Sequence, residues 1–103
     1  MVRARFTVQV RYGYFAEYLK AAEQLNEIAR ERGWAEATFW VSTAGTANEL
    51  IAEVDYPDLA TFEREGQAQS SDPEWMKVIR STVDFVVQGT GRSELFQTAP
   101  QLA

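Results

Sequence analysis

In the stretch Arg3-Ala4-Arg5-Phe6-Thr7-Val8-Gln9-Val10-Arg11-Tyr12, the even-numbered residues are apolar and the odd-numbered residues are polar or basic. The same alternation runs through Glu49-Leu50-Ile51-Ala52-Glu53-Val54-Asp55-Tyr56, whose odd-numbered residues are mostly acidic. Because successive side chains of a strand point to opposite faces, each stretch predicts a strand with one apolar and one charged face. If the two strands are neighbours, Arg5 and Arg11 meet the acidic residues on the face away from the core. Those acidic residues are Glu49, Glu53 and Asp55.

The composition is that of an ordinary globular chain, and it excludes several classes of function. With 103 residues, 46% of them hydrophobic, the chain is long enough for one domain with a core and too short for two. The net charge of −5 argues against a nucleic-acid or anionic-membrane partner. Cysteine and histidine are both absent, which removes the thiolate nucleophile, the disulfide and the commonest metal and haem ligands. We therefore expect no metal and no cofactor.

The sequence also lacks the pattern of a membrane or secreted protein. No apolar run approaches the roughly 20 residues that span a bilayer. The first residues begin a strand pattern and contain no signal-peptide apolar region. We expect a cytoplasmic protein.

A helix is predicted between the first two strands. From Tyr14 to Arg32, apolar residues recur at steps of three and four, and Gly33 after a basic last turn is a typical helix stop. Alternation returns over residues 35–42, and a small polar loop around Gly45 indicates a hairpin into the acidic strand.

The second helical region is predicted to be broken in two. Asp58 is a plausible N-cap for its first piece, and Asp72 followed by Pro73 restarts it after a polar run. Helical spacing in the second piece continues to Val86, and residues 92–97 read as a short last strand.

The order strand, helix, strand, strand, broken helix, strand predicts an α+β fold of the ferredoxin-like βαββαβ type. Its four-stranded antiparallel sheet carries both helical regions on one face, with the first and third strands as central neighbours. We expect residues 1–98 to form this one domain and residues 99–103 to be a frayed tail.

The odd-numbered sheet face has no cover within the chain, and two interpretations remain open. The face is either simply solvated, with surface ion pairs of little energetic weight, or it packs against a second copy. Large apolar groups on this face favour the second interpretation, a homodimer. The predicted interface residues are Arg5, Thr7, Arg11, Trp40, Ile51 and Glu53.

The element order and two motifs resemble a known family. The stretches Asp55-Tyr56-Pro57-Asp58-Leu59-Ala60-Thr61-Phe62-Glu63 and Ser71-Asp72-Pro73-Glu74-Trp75 are similar to NIPSNAP-like members of the dimeric α/β-barrel superfamily. The resemblance implies a homodimer whose two sheets form a barrel. It also implies relatives that include cofactor-independent monooxygenases, haem-degrading enzymes and isomerases. The lack of histidine speaks against the haem-degrading branch.

Aromatic residues near the helices are candidates for a ligand pocket between helices and sheet, although a small domain also needs them for its core. The predicted lining residues are Tyr12, Tyr14, Phe15, Tyr18, Phe62 and Trp75, to which Trp34 can be added. The first hypothesis is a homodimer that binds a small apolar or aromatic molecule in this cleft. An alternative is a cofactor-independent monooxygenase or isomerase acting on an aromatic or polyketide-like substrate, with Tyr12 or Tyr14 as the catalytic group. A third hypothesis is an accessory domain that acts through its dimer surface, so whether the protein is an enzyme stays open.

Overall fold

A computed structural model describes residues 1–100 and contains one sheet and three α-helices on one side of it. The elements in chain order are β1 (Val2–Gln9), α1 (Phe15–Arg32), β2 (Thr38–Val41), β3 (Glu49–Tyr56), α2 (Leu59–Ser70), α3 (Pro73–Ser81), a 3-10 helix (Val83–Phe85) and β4 (Arg92–Gln97). Within residues 1–100, no helix combines the length and apolar composition needed to cross a membrane. Residues 101–103, most of the predicted tail, lie outside the described residues.

The four strands pair antiparallel in the order β2-β3-β1-β4. In the central pair Arg5 lies opposite Glu53, and Val8 lies opposite Leu50. The predicted α+β, ferredoxin-like topology is therefore confirmed, including the adjacency of the first and third strands.

Side-chain caps and one glycine fix the ends of the helices. Asp58 and Asp72 accept hydrogen bonds from the backbone amides of Thr61 and Trp75, at 2.8 and 3.0 Å, so both predicted N-caps are present. Gly33 closes α1 in the left-handed conformation with φ of 75°, a conformation that disfavours any side chain with a Cβ.

The hydrophobic core lies between α1 and the helix-facing side of the sheet, which carries the even-numbered residues of β1 and β3. Val8, Val10 and Leu50 are almost completely buried there against Tyr18. Phe39 of β2 packs against this cluster from the same face. This is the face that the alternation in the sequence predicts.

The first strand is shorter than predicted. It ends at Gln9 because Val10 forms a single bridge with Val86 and the amide of Arg11 then bonds to the carbonyl of Phe85. The Val10 amide still bonds to the carbonyl of Asn48, just before β3, and the chain turns only after it, so Tyr12 is 82% exposed and is not under the helices. The prediction of a strand through Tyr12 was wrong because this end of the strand is held by the 3-10 segment.

Two other boundaries differ from the prediction. β2 begins only at Thr38, because Asn26 of α1 binds both the amide and the carbonyl of Ala37 and holds the preceding segment off the sheet. α3 ends at Ser81 and is followed by a 3-10 turn, whereas the spacing predicts one helix to Val86. The hydroxyl of Thr82 bonds back to the carbonyl of Ile79, a local bond that competes with continuation of the helix.

Candidate functional site

Two cavities lie between the helices and the sheet, one on each side of β3. Ala52 and Val54 belong to the walls of both. These two residues are successive even-numbered positions, so they point to the helix side of the sheet. We call the cavity over β2 and β3 the inner cavity and the one over β1 and β4 the outer cavity.

The inner cavity has a volume of about 150 Å³ and is mostly apolar. It exists because small alanine side chains stand where larger residues would fill the layer between helices and sheet. Its walls come from α1, the segment before β2, both strands, α2 and α3. The lining residues are Leu25, Asn26, Ala35, Ala37, Phe39, Ala52, Val54, Tyr56, Gln69 and Trp75.

The outer cavity is larger, about 260 Å³, and more open to solvent. Phe62 of α2 is its one helical wall, and Phe6 and Leu95 of the sheet remain well exposed on its floor. Exposed apolar groups on the helix side of a sheet are unusual in a fully covered layer. They mark this part of the sheet as the uncovered side of the cleft. The remaining lining residues are Ala4, Arg5, Ala52, Val54, Ser93 and Glu94.

Polar side chains at the inner cavity differ in what they bind. Both ends of the Asn26 amide bind Ala37: Nδ2 donates to its carbonyl and Oδ1 accepts from its amide, at 2.8 Å each. The buried Glu65 accepts from the amide of Ala35 at 2.7 Å. The side chains of Tyr56 and Gln69 form no hydrogen bond with residues 1–100. Two polar groups of the cavity wall are therefore available to a bound molecule.

One buried carboxylate, Glu65, lies beside the inner cavity, where it binds the amide of the lining residue Ala35. Burial raises the pKa of the Tyr56 hydroxyl, and the nearby Glu65 carboxylate raises that pKa further. No basic side chain forms an ion pair with Glu65 among the residues described. The tyrosine is thus held in its neutral, hydrogen-bond-donating form.

Of the six aromatic residues predicted to line a pocket, the structure brings Phe62 and Trp75 to the cleft. Trp75 lines the inner cavity and packs edge-on against Trp34, with ring centroids 5.6 Å apart. Phe62 lines the outer cavity and packs edge-on against Tyr56 at 5.4 Å. The Tyr56 and Phe62 rings form the boundary between the two cavities.

The other four predicted residues lie elsewhere. Phe15 and Tyr18 pack into the core, where burial raises the pKa of the Tyr18 hydroxyl. Tyr14 stacks on Phe85 with centroids 5.7 Å apart, and Tyr12 is exposed in the turn after β1. Tyr12 and Tyr14, the two predicted catalytic candidates, therefore do not line either cavity.

The residues that shape the inner cavity most are not singled out by the sequence. Ala37, Ala52, Tyr56 and Gln69 line it, and the alternation identifies Ala52 and Tyr56 only as core-facing positions. A signal is present, since Ala52 occupies a strand position that normally carries a large residue, and a second alanine, Ala37, directly precedes β2. The local sequence pattern does not predict which other elements surround these alanines, so it does not predict that a cavity remains there.

The sheet face away from the helices carries the odd-numbered residues of β1 and β3, and we keep the name odd-numbered sheet face for it, although β2 and β4 contribute even-numbered residues such as Trp40. Ion pairs join β1 and β3 on this face. The Nε atoms of Arg3 and Arg5 donate to Asp55 and Glu53 at 2.7 and 2.8 Å. Arg11, predicted to join these pairs, lies beyond the strand end and instead donates to the carbonyl of Asp84 at 3.0 Å. Its guanidinium rests over the Tyr14 ring.

Apolar residues on the same face form a row across the strands. Trp40 pairs with Ile51, and Ile51 pairs with Thr7, as the alternation predicts. Trp40 is 54% exposed. Thr7 is 1% exposed, and its hydroxyl oxygen has no hydrogen-bond partner in the described part of the chain.

The sequence profile of the NIPSNAP family matches residues 7–99, almost the whole chain. The chain belongs to the NIPSNAP family. This agrees with the resemblance read from the motifs around Asp58 and Asp72. No curated protein matches the chain significantly. Groups of three or more potential metal-ligating side chains are absent from residues 1–100 of this NIPSNAP protein.

Solved structures share the fold of this NIPSNAP protein at low sequence identity. A NIPSNAP domain protein from Burkholderia xenovorans is 18% identical, with a TM-score of 0.79 over 100% of this chain and 99% of that one. A NIPSNAP family protein from Agrobacterium tumefaciens is 16% identical, with a TM-score of 0.77 over 95% and 92%. An antibiotic biosynthesis monooxygenase is 12% identical, with a TM-score of 0.75 over 97% and 100%. At these identities the similarity shows a common fold.

Proposed function

We propose that this NIPSNAP protein is a homodimer that binds a small apolar or aromatic molecule in the helix–sheet cleft of each subunit. The observation that carries the binding proposal is the pair of cavities that share Ala52 and Val54. Concave, mostly apolar sites with a few polar groups are the usual form of small-molecule sites. The unpaired Tyr56 and Gln69 side chains supply those polar groups.

The open side of the cleft supports the same proposal. Phe6 and Leu95 are exposed on the helix side of the sheet beside Phe62. Covering them removes apolar surface from water, which contributes about 25 cal/mol for each Å² buried. A bound molecule that extends from the inner into the outer cavity would obtain this contribution.

The charged sheet face supports the proposal of a homodimer. It contains exposed Trp40 and Phe96 together with the Arg3–Asp55 and Arg5–Glu53 pairs. Because these basic groups are already paired with acidic groups, most of the charge on the face is balanced before a second copy approaches. An isologous contact around Trp40 would bury the apolar groups of both copies.

Native mass spectrometry of the protein as purified tests both parts of the proposal. We expect a mass of two 11.7 kDa chains, each carrying an additional mass of a few hundred daltons or less. A dimer without added mass that also fails to bind any apolar probe would overturn the binding proposal. A monomer over the whole working concentration range would overturn the homodimer.

Filling the shared wall of the cavities provides a matched pair of variants. Ala52→Leu places extra methyl groups into both cavities and is expected to abolish the added mass, because the ligand and the new side chain need the same space. Ala60→Leu makes the same change on the exposed side of α2 and should leave the added mass unchanged. Equal retention of ligand by both folded variants would place the binding site outside the cleft.

A further inference from the structure

We propose that the inner cavity selects a molecule with a single ring and one uncharged hydrogen-bonding group, and that Tyr56 and Gln69 bind that group. The proposal rests on the proposed function, because it specifies the ligand of the same cleft. It assigns Tyr56 and Gln69 as specificity-determining residues and excludes anionic ligands.

The size of the cavity sets the size of the ligand. About 150 Å³ is close to the volume of an engineered protein cavity of about 150 Å³ that binds benzene. Phe39, Val54 and Trp75 give the walls the apolar and aromatic character that a ring requires. A fused two-ring system would have to extend past Phe62 into the outer cavity.

The unpaired polar groups set the chemistry of the ligand. The Tyr56 hydroxyl forms no hydrogen bond with residues 1–100 and, unlike the Thr7 hydroxyl, is not fully shielded, so water or a ligand group can reach it. The Gln69 side chain on the same wall offers both a donor and an acceptor. The Asn26 amide on the same wall is held in place by Ala37 at both ends, whereas Tyr56 and Gln69 have no such bonds within residues 1–100. One ligand hydroxyl or carbonyl would therefore pair with Tyr56 and Gln69.

The charge beside the cavity excludes anions. Glu65 is 8% exposed, and its carboxylate is bound by the amide of Ala35 alone among residues 1–100. Its negative charge acts on Tyr56, whose pKa it raises. A carboxylate on the ligand would lie near this charge and would lose part of its hydration. A phenol of the same shape would not.

The experiment compares three ring compounds of similar shape by calorimetry or by chemical-shift changes at the cavity residues. Toluene has no polar group, p-cresol has a hydroxyl, and p-toluate has a carboxylate. We expect p-cresol to bind most tightly and p-toluate least. Tyr56→Phe and Gln69→Leu should each weaken p-cresol binding about fivefold to tenfold, as loss of one hydrogen bond does, and leave toluene binding unchanged. Gln67→Leu, on the exposed side of α2, is the matched control and should change neither.

The outcomes separate this proposal from the broader one. If toluene binds in the cavity but p-cresol binds no better, or if Tyr56→Phe and Gln69→Leu both leave p-cresol affinity unchanged, the specificity proposal is overturned and the binding site stands. Tight binding of p-toluate would also overturn it. If none of the three compounds binds at the cavity residues, both the proposed function and this inference fail.

Discussion

Arg5 on β1 lies directly opposite Glu53 on β3, and its Nε donates a hydrogen bond of 2.8 Å to the glutamate carboxylate. The glutamate side chain is only 15% exposed, so this pair is more shielded from water than its neighbour Arg3–Asp55. The register of the two central strands brings unlike charges together along one face. That relationship connects sheet stability with the surface on which a second copy would pack.

Loss of the Glu53 charge should therefore destabilise the fold. Glu53→Gln is expected to lower the free energy of unfolding by about 1 kcal/mol, because a charged hydrogen bond is lost and Arg5 keeps some contact with water. Arg3 holds Asp55 with two hydrogen bonds, at 2.7 and 3.1 Å, but this pair is more exposed to water, so Asp55→Asn should still have a smaller effect. Urea denaturation of both variants provides the measurement. Equal effects would contradict the role assigned to burial.

Acid should weaken the N-cap of α3. Asp72 has a pKa held below its usual value of about 3.9 by the backbone amide of Trp75 and by Arg32. The stabilisation that it provides is thus fully present above about pH 4 and is lost as pH falls through the lowered pKa of the folded state. Asp72→Asn should flatten the decline in melting temperature below pH 4. An unchanged slope would exclude this carboxylate as a source of acid sensitivity.

The homodimer predicts a difference between two exposed apolar positions. Trp40→Glu puts a charge on the odd-numbered sheet face and should convert the dimer to monomer or unfold the chain. Val83→Glu makes a comparable change in the 3-10 segment, away from that face, and should leave the dimer intact. Sedimentation velocity over a concentration series distinguishes the two. A stable dimer of the Trp40 variant would rule out packing through this face.

Thr7 tests whether a second copy also supplies a hydrogen-bond partner. In one subunit its hydroxyl is buried without a partner among residues 1–100, so Thr7→Val should raise the free energy of unfolding by about 1 kcal/mol. Thr38→Val, on the exposed part of the same face, should stay within about 0.5 kcal/mol of the parent. Destabilisation of the Thr7 variant in thermal unfolding would mean that the hydroxyl is bonded in the assembled protein.

Replacing either of two glycines by alanine should change the free energy of unfolding, but in opposite directions. Gly66 lies inside α2 with open space where a Cβ atom would stand, so Gly66→Ala should stabilise the protein by about 0.5–1 kcal/mol. Gly33 has φ of 75°, so Gly33→Ala should destabilise it by about 1 kcal/mol. Chemical denaturation gives both values. The same sign for both substitutions would contradict the conformational argument.

Local pattern is sufficient for the order of the elements and for most of their ends. Alternation over β3 predicts its bounds, Asp58 and Asp72 predict the helix starts, and Gly33 predicts the stop of α1. It fails at the end of β1, because Val10 bonds to Asn48 and bridges to Val86, and Arg11 bonds to Phe85, all distant along the chain. A long-range partner leaves no trace in the neighbouring sequence.

The sequence by itself determined the topology and the two faces of the sheet, because side-chain alternation and helix capping depend on residues a few positions apart. Only the tertiary structure decided where the cleft lies. The inner cavity is bounded by Ala37, Ala52, Tyr56, Gln69 and Trp75, which come from four separate segments of the chain. An unfilled volume is the difference between the space those segments enclose and the side chains that enter it, so it is fixed only once they pack together.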